Sequence, residues 1–236
     1  GVIEQCLEKI FKEKITVFGC GRTDKGVHAS QYFFHIEVRK EFHCDLKFVL
    51  EKHLPSTISL FEIIKVEGRK HARYDAKKRT YDYFLHTISD PFLDKYSSFF
   101  NEELDINLMK SATLILSKYS DFRGFCLQPD SHNHTLCKVF KCDLIINKQQ
   151  NRIQFTITGD RFLKGMIRIL ISILLKIGKK EMSIVNFELL LKNPENGFNL
   201  KPAPPNGLYL SRIEYDYLKL KNQSVFFKTL LITDDF

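Results

Sequence analysis

Residues 166–177, MIRILISILLKI, constrain this chain more than any other stretch. Only Arg168, Ser172 and Lys176 are polar, so a helix built on it is apolar almost all round and must be enclosed. The run falls well short of the ~20 apolar residues that cross a bilayer and carries two cations, so it reads as a buried core helix rather than an anchor. An unpaired guanidinium in that setting is very costly, and Arg168 therefore needs a carboxylate from elsewhere in the chain. Enclosing the helix takes a sizeable core. A length of 236 residues at 44% hydrophobic content supplies one, either as a single large domain or as two halves of about 100 residues each.

The remaining periodicities predict what surrounds that helix. Ile3, Cys6, Leu7, Ile10 and Phe11 recur at helical spacing, and residues 14–18 alternate towards a glycine-punctuated loop at 19–27. A second extended segment follows at 28–38. Asp45 is then placed to cap a helix with Leu46, Val49 and Leu50 inward, and two strands at 58–66 and 79–87 are rich in β-branched and aromatic residues. Asp90-Pro91 breaks the chain. Beyond it the pattern predicts a helix at 105–117, strands at 135–146 and 152–158, two helices and a last strand at 207–217, with 201–207 as an ordered linker. The expectation is an α+β protein in two halves, 1–90 and 91–236, each mixing helices with a mostly antiparallel sheet. A cleft between halves is a common place for a site.

Composition narrows the partners. A net charge of +8, from 36 Lys+Arg against 28 Asp+Glu, leans towards an acidic partner such as nucleic acid. Six cysteines without a CxxC pair, and no secretory signal ahead of them, read as reduced intracellular thiols and a cytoplasmic protein. His132, His134, Cys137 and Cys142, with Cys126 nearby, match no standard zinc spacing and read as a polar loop with buried thiols, so no metal is expected.

The loop Gly19-Cys20-Gly21-Arg22-Thr23-Asp24-Lys25-Gly26 carries the chemistry. It is not a P-loop, because Lys25 precedes Gly26 and no hydroxyl follows; nor is it a dinucleotide fingerprint, whose third glycine would fall at Asp24 and which must open a helix, not a strand. An ordinary turn made by Asp-Lys-Gly is one reading. Against it, Arg22 and Asp24 share a face of an extended segment, where a neighbouring cation favours the ionised carboxylate as nucleophile or base. Flanking glycines also permit close approach of a bulky ligand.

Gly21-Arg22-Thr23-Asp24-Lys25-Gly26-Val27-His28-Ala29 is joined, in order, by five further segments. These are His71-Ala-Arg73-Tyr-Asp-Ala76, Arg79-Thr-Tyr81-Asp-Tyr83, Asp121-Phe-Arg-Gly-Phe125, Phe162-Leu-Lys164-Gly-Met-Ile-Arg168 and Ala203-Pro-Pro-Asn-Gly-Leu208-Tyr-Leu210. In these segments the chain resembles the tRNA pseudouridine synthases of the TruA family, from its first helix almost to its C-terminus. The family usually has a strand ahead of that helix, so an open sheet edge is expected in the N-terminal half; Ile169 and Ser172 stand where it often has asparagine and glycine.

The resemblance implies two ferredoxin-like halves forming a central RNA-binding cleft, and a homodimer that isomerises uridines in the anticodon stem-loop, positions 38–40, without a cofactor. It implies Asp24 as the catalytic carboxylate, Arg22 as the residue that enters the gap left by a flipped base, Tyr81 as the ring that packs on that base, and Leu208 as a pocket wall. Arg168 is expected to pair with Asp24, with Asp160 as the alternative partner; Tyr83 is expected to be a core aromatic. Arg22, Lys25, His71, Arg73, Lys77, Lys78, Arg79, Arg161 and Lys164 are the candidate RNA contacts. Two other readings stay open: a tRNA-binding relative without activity, and a synthase acting on other RNA positions.

Overall fold

The computed structural model describes residues 1–38, 42, 44–195 and 201–218, so the final stretch of the expected C-terminal half, 219–236, lies outside the described residues. The chain divides into two compact units. One comprises Gly1–Arg22 and Phe33–Ala76, the other Thr23–Tyr32 and Lys77–Phe236. The first unit thus ends at Ala76 rather than at the expected residue 90, and the loop segment from Thr23 onward belongs with the second unit. The cause is strand pairing, described below.

In the first unit, α1 (Val2–Phe11) ends where Lys12 takes a left-handed conformation and its N–H bonds to the Glu8 carbonyl. Its apolar stripe buries Cys6 and Leu7 with Ile15 and with Leu50 of α2 (Leu46–His53). The Asp45 carboxylate caps α2 by accepting the Phe48 N–H at 3.1 Å. Among the described residues the sheet here is a two-stranded antiparallel ladder, β1 (Phe18–Gly19) on β3 (Phe34–His35). The strand expected at 58–66 is absent: the segment carries no strand assignment, and Phe61, Ile63, Ile64 and Val66 are exposed. Strand propensity measures fit to a pleated, half-buried surface, and it cannot supply the ladder neighbour that makes a segment a strand.

Among the described residues the second unit is a six-stranded mixed sheet with helices packed on one face. Its order is β2 (His28–Ala29), β8 (Leu208–Glu214), β4 (Lys78–His86), β7 (Arg152–Gly159), β6 (Val139–Ile146), with β5 (Ser98–Phe99) pairing beside the end of β4. The β8–β4, β4–β7 and β7–β6 ladders are antiparallel; β2–β8 and β4–β5 are parallel. The extended segment expected at 28–38 is therefore split, its first residues joining β8 and Phe34–His35 joining β1. Alternation along β4 and β7 directs Tyr83, Leu85, Ile153, Phe155 and Ile157 into the core and leaves Asp82 and Thr156 for the other face, where the Asp82 carboxylate accepts from the side chains of Gln154 and Thr156.

The helices α3 (Ile106–Ile115) and α4 (Met166–Gly178) enclose that core, with Phe122, Phe125 and Phe187 of α5 (Ile184–Lys192) filling between them. Every residue of α4 is buried apart from Arg168, Ser172 and Lys176. Those three lie four apart, so they form one polar stripe along an otherwise enclosed helix. Deleting a fully buried member such as Ile173 would cost about 2–5 kcal/mol in transfer and cavity terms.

Candidate functional site

Asp24 opens a tight turn in which its carbonyl accepts the Val27 N–H at 3.1 Å, and Gly26 sits at φ +84°. The third position of such a turn demands a left-handed residue, which glycine adopts without penalty. A Cβ there would also stand 3.0 Å from Cγ of Pro205, so the turn lies directly against the 203–207 segment. Immediately beyond it β2 pairs with Tyr209 and Leu210, and the Ser30 N–H reaches the Leu210 carbonyl at 3.0 Å. Backbone pairing thus ties the exit of the loop to β8.

The carboxylate is held from α4. Arg168 Nη1 donates to Asp24 Oδ2 at 2.9 Å, while Nε of the same guanidinium donates to the Ala203 carbonyl at 2.6 Å. Ala203 returns a bond from its N–H to the Arg168 carbonyl, and Ser172, one turn along the stripe, donates to the Lys201 carbonyl at 2.8 Å. The guanidinium fork is therefore spent in two directions, one onto the 201–203 strap and one onto the acid. Side-chain exposure is 16% for Arg168 and 29% for Asp24, which strengthens the pair relative to a surface contact yet leaves the carboxylate within reach of solvent and substrate. Asp160 is occupied elsewhere, its carboxylate accepting the N–H groups of Lys138 and Arg161 at 2.8 and 2.6 Å.

Tyr81 is half-buried on β4 and meets Phe162 edge-on, ring centres 5.4 Å apart. The β4–β8 register slips between Thr80 and Tyr81, leaving Ser211 as the extra residue of a bulge, a device that re-aims neighbouring side chains. Leu208 is a core residue at 6% exposure, opposite Tyr83. Arg22, in the first unit, and Lys25 are both exposed.

The candidate RNA contacts are scattered and mostly engaged. His71 shapes its own turn: its Nδ1 accepts the Arg73 N–H and its backbone N–H donates to Asp75. Arg73 is exposed. Lys77 pairs with Asp216 and Lys78 with Glu214 at 3.4 and 3.5 Å, exposed pairs of small worth. Arg79 holds the Asp160 carbonyl, Arg161 the His134 ring and Lys164 the Gln128 amide. Among the described residues no three His, Cys, Asp or Glu side chains are placed to hold a metal ion; burial pushes the Cys137 thiol up to about 12 and raises that of Cys142. No helix among the described residues is long and apolar enough to cross a membrane.

Sequence reasoning missed the strap. Ser172 and the run of prolines at 202, 204 and 205 are visible in the chain, but nothing local says that the polar stripe of α4 and residues 201–203 meet.

The fold is mixed α/β, and at its central sheet Asp24 presents a carboxylate that is ion-paired with Arg168 and still accessible. Comparison with known proteins gives the class of enzyme to which this arrangement belongs. The family model described as tRNA pseudouridine synthase matches residues 119–216. The tRNA pseudouridine synthase A of Azobacteroides pseudotrichonymphae is 33% identical over 221 residues, 93% of this chain and 88% of that protein. Those of Bacteroides fragilis and Porphyromonas gingivalis are 33% and 30% identical, each over 90% of this chain and 86% of their own. The chain belongs to the TruA family of tRNA pseudouridine synthases.

Proposed function

We propose that this chain converts uridine to pseudouridine in transfer RNA with Asp24 as its catalytic carboxylate. The reaction breaks the bond from ribose C1′ to N1 of the base, turns the base, and joins C5 to C1′, with the C5 proton lost and one proton gained at N1. It is an isomerisation, with no net redox change and no group donor. What it needs from the protein is a charged acid in the right place and a pocket that accepts a base out of its stack. The observation that carries the reading is the Arg168–Asp24 pair at 2.9 Å, which orients a carboxylate that is still accessible.

Around it, Tyr81 takes the flipped base against its ring, Leu208 backs the pocket, and Arg22 enters the vacated stack. Lys25, His71, Arg73, Lys77, Lys78, Arg79, Arg161 and Lys164 supply charge and polar groups for the RNA backbone, with affinity that falls as salt rises. Uridines 38–40 of the anticodon stem-loop, two ferredoxin-like halves framing an RNA cleft, a homodimer and a cytoplasmic location complete the reading; they rest on the family resemblance.

Mapping pseudouridine in unmodified tRNA after incubation with the wild type and with Asp24→Ala tests it. The wild type modifies the anticodon arm and the variant does not. A folded wild type that binds tRNA and makes no pseudouridine would mark a binding-only relative; full activity in Asp24→Ala would remove Asp24 from its role; product confined to other positions would correct the target.

A further inference from the structure

Tyr83 packs as a core aromatic should, with no exposed surface, and a phenylalanine would fill the same space. Its hydroxyl is what needs explaining, since a buried O–H without a partner costs free energy. The hydroxyl donates to the Pro204 carbonyl at 2.8 Å and lies 2.8 Å from Ser98 Oγ. Burial pushes the phenol up to about 12, so it keeps its proton as a donor throughout the neutral range.

Pro204 belongs to the strap that braces Arg168. Prolines at 202, 204 and 205 have no N–H, so that stretch can bond to its surroundings almost entirely through carbonyls. Three are taken: Lys201 by Ser172, Ala203 by Arg168 and Pro204 by Tyr83. The first two donors sit on α4, and the third reaches in from the sheet. The strap's far end is pinned by Asn206, whose Nδ2 donates to the carbonyls of Asp94 and Ser97 and whose Oδ1 accepts from Ser98. At Gly207 a Cβ would stand 2.6 Å from the Phe84 carbonyl, so the strap is pressed onto β4 one residue past Tyr83. Proline-locked φ angles make the piece between stiff, and a shift at Pro204 moves the Ala203 carbonyl with it.

We propose that Tyr83 is a positioning residue for catalysis: its hydroxyl fixes the strap, the strap's Ala203 carbonyl fixes the Arg168 guanidinium, and that guanidinium aims the Asp24 carboxylate. The proposal rests on Asp24 being the working acid. It assigns to the second tyrosine of Arg79-Thr-Tyr81-Asp-Tyr83 a task distinct from packing and from contact with the base.

The test is Tyr83→Phe in the full chain, assayed for tRNA pseudouridylation under steady-state and single-turnover conditions, with thermal melting alongside. Loss of one buried hydrogen bond that acts on geometry predicts a kcat about tenfold lower, an unchanged KM for tRNA and a melting midpoint within a few degrees of wild type. The same substitution in an Arg168→Lys background should lower the rate no further, because lysine cannot serve Asp24 and Ala203 together. Asn206→Ala, which releases the other end of the strap, should also lower kcat several-fold without raising KM. An unchanged kcat in Tyr83→Phe overturns the proposal, as does a full tenfold further loss in the Arg168→Lys background. Should Tyr83→Phe not fold, an unchanged kcat in Asn206→Ala overturns it equally. The wild-type rate measured in parallel separates these results from failure of the functional reading, which would show as no pseudouridine in any sample.

Discussion

Replacing Arg168 with methionine should separate the catalytic from the structural work of the buried cation. Methionine suits the apolar helix and keeps much of the side-chain volume, so the perturbation is the loss of two bonds, to Asp24 Oδ2 at 2.9 Å and to the Ala203 carbonyl at 2.6 Å. A charge-assisted bond contributes about 1.5–3 kcal/mol. The pair with Asp24 is discounted because that carboxylate is 29% exposed and water replaces part of what is lost. Removing a half-buried guanidinium also relieves its desolvation. The net destabilisation is therefore about 1–2 kcal/mol, a fall of about 3–6 °C in melting midpoint for a unit of this size. Activity should suffer more. An acid free to swing by about 1 Å loses about 10²-fold in rate, so single-turnover pseudouridylation should drop by that factor while tRNA binding is nearly unchanged. Arg168→Lys, which keeps the charge but not the fork, should fall between. A methionine variant that melts lower yet turns over at the wild-type rate would refute the reasoning, because it would show that the pair stabilises the fold without aiming the acid.

Gly26→Ala should cost about 1–2 kcal/mol from its left-handed φ alone and lower kcat by pushing the Asp24 turn off Pro205; Pro205→Ala in the same chain should recover part of the rate and none of the φ penalty, measured by melting and turnover together. Burial, and then the neighbouring His71, holds the His35 imidazole below its ordinary 6.5. Its Nδ1 accepts the Ala72 N–H at 3.1 Å. The folded form binds fewer protons than the unfolded, so this stabilisation is complete above pH 6.5 and lost as pH falls through the lower folded value. The protection factor of the Ala72 amide, its exchange rate divided into the intrinsic rate at each pH, should fall over that window, and a protection factor that is flat in pH there would contradict it. Binding of tRNA should weaken linearly in log salt, and Lys164→Ala should reduce the slope by about one; an unchanged slope would remove Lys164 from the interface.

Much of the unit that holds Asp24 was legible in the chain because its signals are local. β-branched and aromatic residues marked β4, and the apolar run marked α4 together with the need for a partner at Arg168; in the other unit the capping aspartate marked α2. Ladder membership was less legible. Residues 58–66 have strand composition but no strand, and 28–38 reads as one extended piece although β2 and β3 belong to different sheets. Both depend on which neighbour is available, and composition does not encode a neighbour. The division into units follows from the same cause, since β4 ladders with β7 and β8 rather than with the segments that precede it.

The sequence by itself determined the chemistry on offer: a carboxylate in a glycine-flanked turn, a cation that cannot stay unpaired, and a strap of prolines with few amides to donate. Only the tertiary structure decided that these three meet. Asp24 and Arg168 are 144 residues apart in the chain, and the Ala203 carbonyl that directs the guanidinium comes from a third segment. Contacts of that separation are set by how the sheet and α4 pack, because burial draws apolar faces together without regard to order along the chain, and the polar groups carried with them then bond to whatever lies within reach.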